Sequence, residues 1–256
     1  MDANDRKYAQ PQIRKEMSAK GIVLVSDNNL DSREAADFLA PVDVGWEFFD
    51  DFPQASGDTV PAPWAATITD TAGTAVADYV DNAAGGQFKI GGDSQSEAQT
   101  ARIDFGDHLI IDSTKNFVFE ARVQVQYADD TAFTADERLV VGLASAYNAT
   151  LDNVAKNAWF RVEGADTALL LETDDGATDN DDEDVGQDLA NDTWAVLRIE
   201  GSDLDAIKFY KDGVLIGDLD AAALSGNLQP IVAYQRDAGA DVQVILVDYV
   251  KVWQER

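Results

Sequence analysis

The chain has 256 residues, 45% of them hydrophobic and none of them cysteine. That is enough for one large domain with a well-buried core, held without disulfides or thiolate chemistry. Its 48 acidic side chains against 19 basic ones give a formal net charge of −29, a surface that repels nucleic acid and anionic membranes, so neither is expected as a partner. No apolar run approaches the roughly 18 to 20 residues that a membrane-spanning helix needs, and the polar first twenty residues lack a signal-peptide pattern.

Residues 1–45 read as an extended N-terminal arm. Its first twenty residues carry Arg6, Lys7, Arg14, Lys15 and Lys20 against Asp2, Asp5 and Glu16, a net charge of +2 that leaves −31 for the rest of the chain. A basic arm on an acidic body suggests a docking segment for an acidic partner, with Arg6, Lys7, Tyr8, Arg14, Lys15 and Lys20 as contact residues. A polar terminus that simply frays is the competing reading. Ile22 to Val25 is a short apolar strand, too isolated to fold alone. Asp31 is placed to cap a short helix through Ala35, Ala36, Phe38 and Leu39, which Pro41 ends.

From Trp46 to Arg256 the pattern is strand after strand. Trp64 to Thr69, Gln87 to Ile90, Ala101 to Phe105, Leu109 to Ile111 and Asn116 to Tyr127 are separated by clusters of Gly, Asn, Asp and Pro. The cleanest alternation puts Phe117, Phe119, Ala121, Val123, Val125 and Tyr127 on one face and Glu120, Arg122, Gln124 and Gln126 on the other. That polar face is expected to be wet or to pair with a neighbouring subunit. Strands follow at Arg138 to Ala144, Trp159 to Glu163 and Leu169 to Thr173. Then come three more: Ala195, Leu197 and Ile199 share the buried face of one, Ile207 and Phe209 that of the next, and Asp212-Gly213 turns the chain back into Val214-Leu215-Ile216. Pro230 is read at a strand start, where its missing N–H does least harm, and Val242 to Trp253 closes the chain. Spacing of this kind argues an all-β sandwich.

The acidic surplus is mostly Asp, 37 against 11 Glu. Either the protein works in saline water, where the Debye length shrinks to about 3 Å at 1 M salt, or it binds cations such as Ca²⁺. The densest segment, Glu172 to Asp184, reads as an acidic loop with eight carboxylates in thirteen residues. Asp174, Asp175, Asp179, Asp181 and Asp182 are its candidate Ca²⁺ ligands. The spacing lacks the Gly and Glu positions of an EF-hand, and a merely solvated loop is the alternative.

Other chemistry is sparse. His108 is the lone histidine and reads as a surface residue, so a His-dependent triad or multi-His metal site has nothing to build on. Glycoside hydrolysis needs two carboxyl groups facing each other across a cleft; Glu120 beside Arg122 makes an ion pair more readily than an acid and base couple. Gly85-Gly86 and Gly91-Gly92 read as turns. Trp46, Trp64, Trp159, Trp194 and Trp253 sit on patterned strands and read as core or rim packing, with sugar stacking as the alternative.

Three segments carry a family resemblance. The run from Trp194 through FYKDGVLIG, the closing strand VQVILVDYVKVW and FFDDF at Phe48 to Phe52 resemble the concanavalin A-like jelly rolls of legume lectins, laminin G modules and laminarinase-type glucanases. The resemblance implies two antiparallel sheets packed as a jelly-roll sandwich over residues 46–256. The glucanases of that fold usually carry Glu-x-Asp-x-x-Glu on one strand, which is absent here, so no enzyme is expected. Ala158 to Asp184, with FGDHLIID, FEARVQV and VDYVKVW, is similar to jelly-roll proteins of tailed-bacteriophage virions. What this implies is a structural role: a capsid decoration or cement protein, made in the host cytoplasm and placed on the capsid exterior. It would dock on the major capsid protein or other virion proteins through the arm, as a homo-oligomer such as a trimer. The alternative is a lectin-like module, with or without Ca²⁺, for host-surface glycan.

Overall fold

The computed structural model describes residues 45–127, 133–148, 150–202, 206–221 and 224–256, together with the backbone of two short strands before them. The chain divides into two compact units, residues 1–46 with 255–256, and residues 47–254. In the first, β1 (Ile13–Ser18) and β2 (Gly21–Ser26) pair antiparallel, with Arg14 opposite Val25 and Lys15 opposite Leu24. The apolar stretch at Ile22 to Val25 is therefore not isolated. A polar strand that the sequence did not advertise supplies its backbone partner. The helix expected from Asp31 to Leu39 lies outside the described residues, as do Arg6, Lys7, Tyr8 and Lys20.

Sixteen strands build the second unit as two antiparallel eight-stranded sheets. In chain order they are β3 (Trp46–Asp50), β4 (Ala65–Thr69), β5 (Val76–Tyr79), β6 (Phe88–Gly91), β7 (Gln99–Asp104), β8 (Ile111–Asp112), β9 (Phe117–Gln126), β10 (Glu137–Ala144), β11 (Asn157–Glu163), β12 (Ala168–Asp174), β13 (Asp179–Asp188), β14 (Trp194–Gly201), β15 (Ile207–Lys211), β16 (Val214–Leu219), β17 (Asn227–Arg236) and β18 (Val244–Gln254). Sheet I runs β13-β12-β11-β10-β17-β7-β4, with β8 pairing the start of β17. Sheet II runs β16-β15-β14-β9-β18-β6-β5, with β3 pairing β18.

The core follows from the alternation. Phe117, Phe119, Ala121, Val123 and Val125 of β9 are all buried between the sheets, as are Ala195, Leu197 and Ile199 of β14. Phe160 of β11 meets Phe209 of β15 edge-to-face across the gap, with ring centroids 5.2 Å apart. At another point in the core, Trp64 packs on Phe105 at 4.6 Å and Phe52 on Phe88 at 5.5 Å. Each fully buried side chain of this size contributes about 2 to 3 kcal/mol. Asp212 and Gly213, with φ of 51° and 78°, both take the left-handed conformation that a two-residue hairpin needs.

Two readings need correction. Pro230 is not at a strand start but is the fourth residue of β17, opposite Leu143. It is tolerated there because β17 changes neighbour at that point: Leu228 pairs β8, Ile231 pairs β7, and Pro230 has no ladder partner on that side. The acidic segment from Glu172 to Asp184 is not a loop. It is the end of β12, a turn, and the first part of β13, because the backbone amides of an edge strand pair with β12 whatever charge its side chains carry.

Where β17 ends, Arg236 is the organising residue. Only 1% exposed, it donates to the carbonyls of Asp93 (2.7 Å), Gln95 (2.7 Å), Glu97 (3.3 Å) and Asp241 (2.8 Å), and to Gln99 Oε1 (2.6 Å). The segment it gathers passes the constraint on, since the Glu97 carboxylate accepts the amides of Thr71, Ala72 and Gly73. Replacing Arg236 by Met leaves these carbonyls without a donor. Arg236→Met is expected to lower stability by about 2 to 4 kcal/mol in urea denaturation, and Arg236→Lys to recover little of it, because an ammonium lacks the planar fork.

Candidate functional site

Because Phe160 and its neighbours Ala158 and Val162 face sheet II, the intervening residues of β11, Asn157, Trp159, Arg161 and Glu163, point outward from sheet I. The antiparallel register extends this face across the strands. One row runs Arg102, Ala233, Val140, Arg161, Leu170, and the next Asp104, Ile231, Gly142, Trp159, Glu172. This outer face contains a small apolar cluster and a network of charges.

The apolar part is built around Trp159, fully buried against Val140, Ala144, Ile231 and Ala233 and closed over by Leu151 and Val154 from the segment after β10. Gly142 makes room for it: a Cβ there would lie 2.6 Å from Trp159 Cα. Half-buried Tyr147 packs against the cluster, and the guanidinium of Arg102 sits 4.0 Å from its ring centroid while reaching Asp104 at 2.8 Å.

Arg161 is the hub of the charged part. Its guanidinium contacts Glu172 at 3.0 Å, Asp182 at 3.5 Å and Glu163. The second oxygen of Glu172 accepts from Asn157 Nδ2 at 3.0 Å. Arg138 extends the network, 3.6 Å from Glu163 and 2.6 Å from Asp237. Burial raises the Glu172 pKa and outweighs the opposite pull of Arg161. Asp182 is pushed up to about 6, first by burial and then by Glu163 and Asp181, against the attraction of Arg161. With φ of 50° it also holds a conformation uncommon for a non-glycine residue.

The five carboxylates read as Ca²⁺ ligands do not converge. Asp174 Oδ1 accepts the amide of Gly176 (2.7 Å), and Asp175 Oδ1 those of Ala177 (2.8 Å) and Thr178 (2.7 Å), so both hold the β12–β13 turn. Asp179 and Asp181 are exposed on β13, and Asp182 turns to Arg161. Asp174 and Asp179 line a shallow cleft of about 360 Å³ with Asn153, Ala155, Gly176 and Ala177. Among the described residues no three His, Asp or Glu side chains are grouped to hold a metal ion.

Of the predicted docking residues, Arg14 and Lys15 lie on β1. Glu120 and Arg122 do not form the expected pair. Arg122 reaches Asp248 at 2.6 Å and stacks on Trp194, while Glu120 accepts from Tyr249 at 2.9 Å, because cross-strand neighbours on β18 and β14 come closer than the next position along β9. His108 is exposed; Trp64 and Trp159 are buried, and Trp194 and Trp253 are half-buried on the outer face of sheet II. Arg161, Tyr147 and Arg102 were not singled out from the sequence, and Glu172 only as the first carboxylate of the acidic segment. The one signal for them is the polar Arg161 and Glu163 alternating with core residues in a strand flanked by apolar strands.

The fold has known relatives in structure. The chain resembles the carbohydrate recognition domain of Emp47p, with TM-score 0.56 and 12% identity over 84% of this chain and 96% of that one. It also resembles an endo-1,3-beta-glucanase from Streptomyces sioyaensis (0.56, 14%, 81% and 95%) and a beta-glucanase from Bacillus licheniformis (0.54, 12%, 82% and 98%). The fold is thus the concanavalin A-like jelly roll of lectin domains and glucanases. No protein-family model and no curated protein sequence matches the chain.

The Asp182 geometry sets a pH dependence. Its carboxyl binds a proton near pH 6 when folded and near 3.8 when unfolded, so the native state holds more protons between those values. The stability this residue contributes therefore grows as pH falls through 6 and is absent above it. Asp182→Asn, which imitates the protonated form, is expected to raise the urea midpoint at pH 7.5 (about 1.5 pH units above that value) and leave it nearly unchanged at pH 4.5 (about the foot of that window).

Proposed function

We propose that the chain is a glycan-binding β-sandwich module without hydrolytic activity, and that the accessible part of the outer face of sheet I, around Arg138, Glu163 and Tyr147, is its binding platform. The observation that carries this is the oriented set of donors and acceptors left accessible on that face: Arg138, Glu163 and Asp237 are held by one another, and the buried Arg161 fixes Glu163 from behind. Sugar hydroxyls exchange hydrogen bonds with such groups, and sugar C–H faces pack on aromatic rings such as Tyr147. Likeness of fold to a carbohydrate recognition domain supports the reading. The charge of −29 favours neutral glycans over sulfated or carboxylated ones, which the surface field repels.

Non-catalysis is part of the proposal. Each carboxylate of the network is paired with a guanidinium, an arrangement that fixes acceptors in place, and the two raised carboxyls, Glu172 and Asp182, both turn to the buried Arg161. The scattered aspartates favour binding that survives chelation.

A second reading is favoured by the arm. Its net +2 beside −31 elsewhere, with the resemblance to tailed-phage virion proteins, supports attachment to an acidic particle surface as a capsid decoration protein. The two roles are compatible, since a decoration protein can also bind glycans.

A glycan array with and without chelator tests the first reading, and Tyr147→Ala is expected to weaken binding about tenfold while the protein stays folded with a lowered urea midpoint, because the ring also packs on the Trp159 cluster. Binding to no neutral glycan overturns it, and release of reducing sugar overturns the non-catalytic part. For the second reading, deleting residues 1–20 is expected to abolish binding to capsids while the far-ultraviolet spectrum of the sandwich persists; unchanged occupancy on the particle rejects it.

A further inference from the structure

We propose that the cleft between β4 and β5, the strands that end the two sheets on one side, is a binding site for a small amphipathic cation: an ammonium group on a short aliphatic body. The cleft has a volume of about 490 Å³, inside the range of about 300 to 1,000 Å³ usual for ligand pockets. It shares no residue with the face around Arg138.

One wall is apolar. Ile68 of β4 lies opposite Ala101 of β7, which is fully buried, so both belong to the face that looks into the sandwich. Ile68 is nevertheless 43% exposed, because β4 ends sheet I and among the described residues no further strand covers it. Ala75, Val76 and Ala77 line the cleft from the side of β5.

The other wall is anionic. Asp78 accepts the Ser56 hydroxyl (2.7 Å), the Gly57 amide (3.0 Å) and the Tyr79 amide (2.8 Å), all neutral donors. Burial raises its pKa, but these hydrogen bonds and the charge of Lys89 outweigh burial and hold the carboxyl below its usual range, so it is ionised. Asp81 accepts the Ser56 amide (2.9 Å) and Asp58 the Ala55 amide (3.0 Å), which places three carboxylates around residues 55–58. Lys89, opposite Asp78 across the ladder, is the one cation lining the cleft, so the carboxylates stay in excess. Tyr79 shares the inward face of β5 with Ala77. It is 2% exposed, and its hydroxyl has no hydrogen-bond partner among the described residues. Burial, then Asp50, Asp58 and Asp78, push its pKa up to about 12.

Charge and apolar contact together select the ligand. Each carboxylate oxygen has two lone pairs, so the exposed Asp58, with one amide on it, keeps room for an ammonium N–H. The field of a chain with net charge −29 draws cations in and repels anions. Ile68 and Val76 then cover the aliphatic part, a contact that a bare metal ion cannot use.

Amide chemical-shift mapping by NMR with n-butyl-, n-pentyl- and n-hexylammonium, all charged at about pH 7, tests this. Hexylammonium is expected to bind with Kd on the order of 1 mM, shifting residues 57, 68 and 75–78, and each added CH₂ to tighten binding about threefold. Hexanoate and hexanol should bind at least about fivefold more weakly. Asp58→Asn, which still accepts the Ala55 amide, should weaken hexylammonium about fivefold, and Ile68→Ser should flatten the dependence on chain length. Both side chains are exposed, so the urea midpoint should stay near that of the wild type. Shifts spread over the acidic surface with no dependence on chain length mean counterion binding only and overturn the proposal. So does the absence of shifts at the cleft up to about 20 mM, hexanoate that binds as tightly as hexylammonium, or an affinity that both variants leave unchanged.

Discussion

The buried guanidinium of Arg236 is the interaction on which one end of the sandwich depends. A charge 1% exposed is costly unless every donor is met, and here the partners are backbone carbonyls of 93–97 and of Asp241, with the side-chain oxygen of Gln99. Carbonyl oxygens carry no net charge to compensate the cation. The surrounding acidic field does so at a distance, with Asp93 Oδ1 3.8 Å away. Loop geometry that other folds obtain from a bound metal ion or a disulfide comes here from one side chain placed at the end of a central strand.

The acidic composition has a second structural use. Asp50, Asp104, Asp112, Asp174 and Asp184 each accept the amide two residues ahead, at Phe52, Gly106, Thr114, Gly176 and Gly186. This is the local turn that a short carboxylate makes and a longer Glu makes poorly. A sandwich with this many connections needs many such turns, which accounts for part of the preponderance of Asp, 37 against 11 Glu. Two carboxyls held in this way titrate low: at Asp112 the Thr114 hydroxyl and amide pull the pKa below the usual range, and at Asp93, which accepts the amides of Thr74 and Gln95, the Thr74 amide leads. Their contribution is lost on acidification, the opposite direction to Asp182, where burial among other carboxylates dominates.

On the outer face of sheet I, polar residues are buried on purpose-built ground. Arg161 and Glu172 lie on adjacent strands, with side chains 4% and 1% exposed, because the segment that covers Trp159 and the acidic edge strand β13 together remove them from water. Burying such a pair adds little net stability over an apolar pair. What it supplies is a fixed orientation of charged groups beside an aromatic ring, the feature on which the glycan-binding reading rests.

By itself the sequence determined the fold class and most of the strands. The alternation of Phe117 through Tyr127, the three strands after Trp194 and the Asp212-Gly213 turn are local patterns, and each is reproduced where β-period burial and positive φ demand it. Resemblance in the flanking strands pointed to the concanavalin A-like sandwich that the solved structures share. Tertiary structure alone decided which carboxylates meet a cation. Runs of Asp look alike along a chain, but strand register placed Asp182 beside Arg161, left Asp179 and Asp181 at the edge, and gave Asp174 and Asp175 to a turn. It also decided that β13 is a strand and that Pro230 sits inside one, since both depend on what lies across the ladder. Local preference sets conformation over a few residues; the partners of a charge or of a strand edge come from segments far away in sequence, and only the folded chain brings them together.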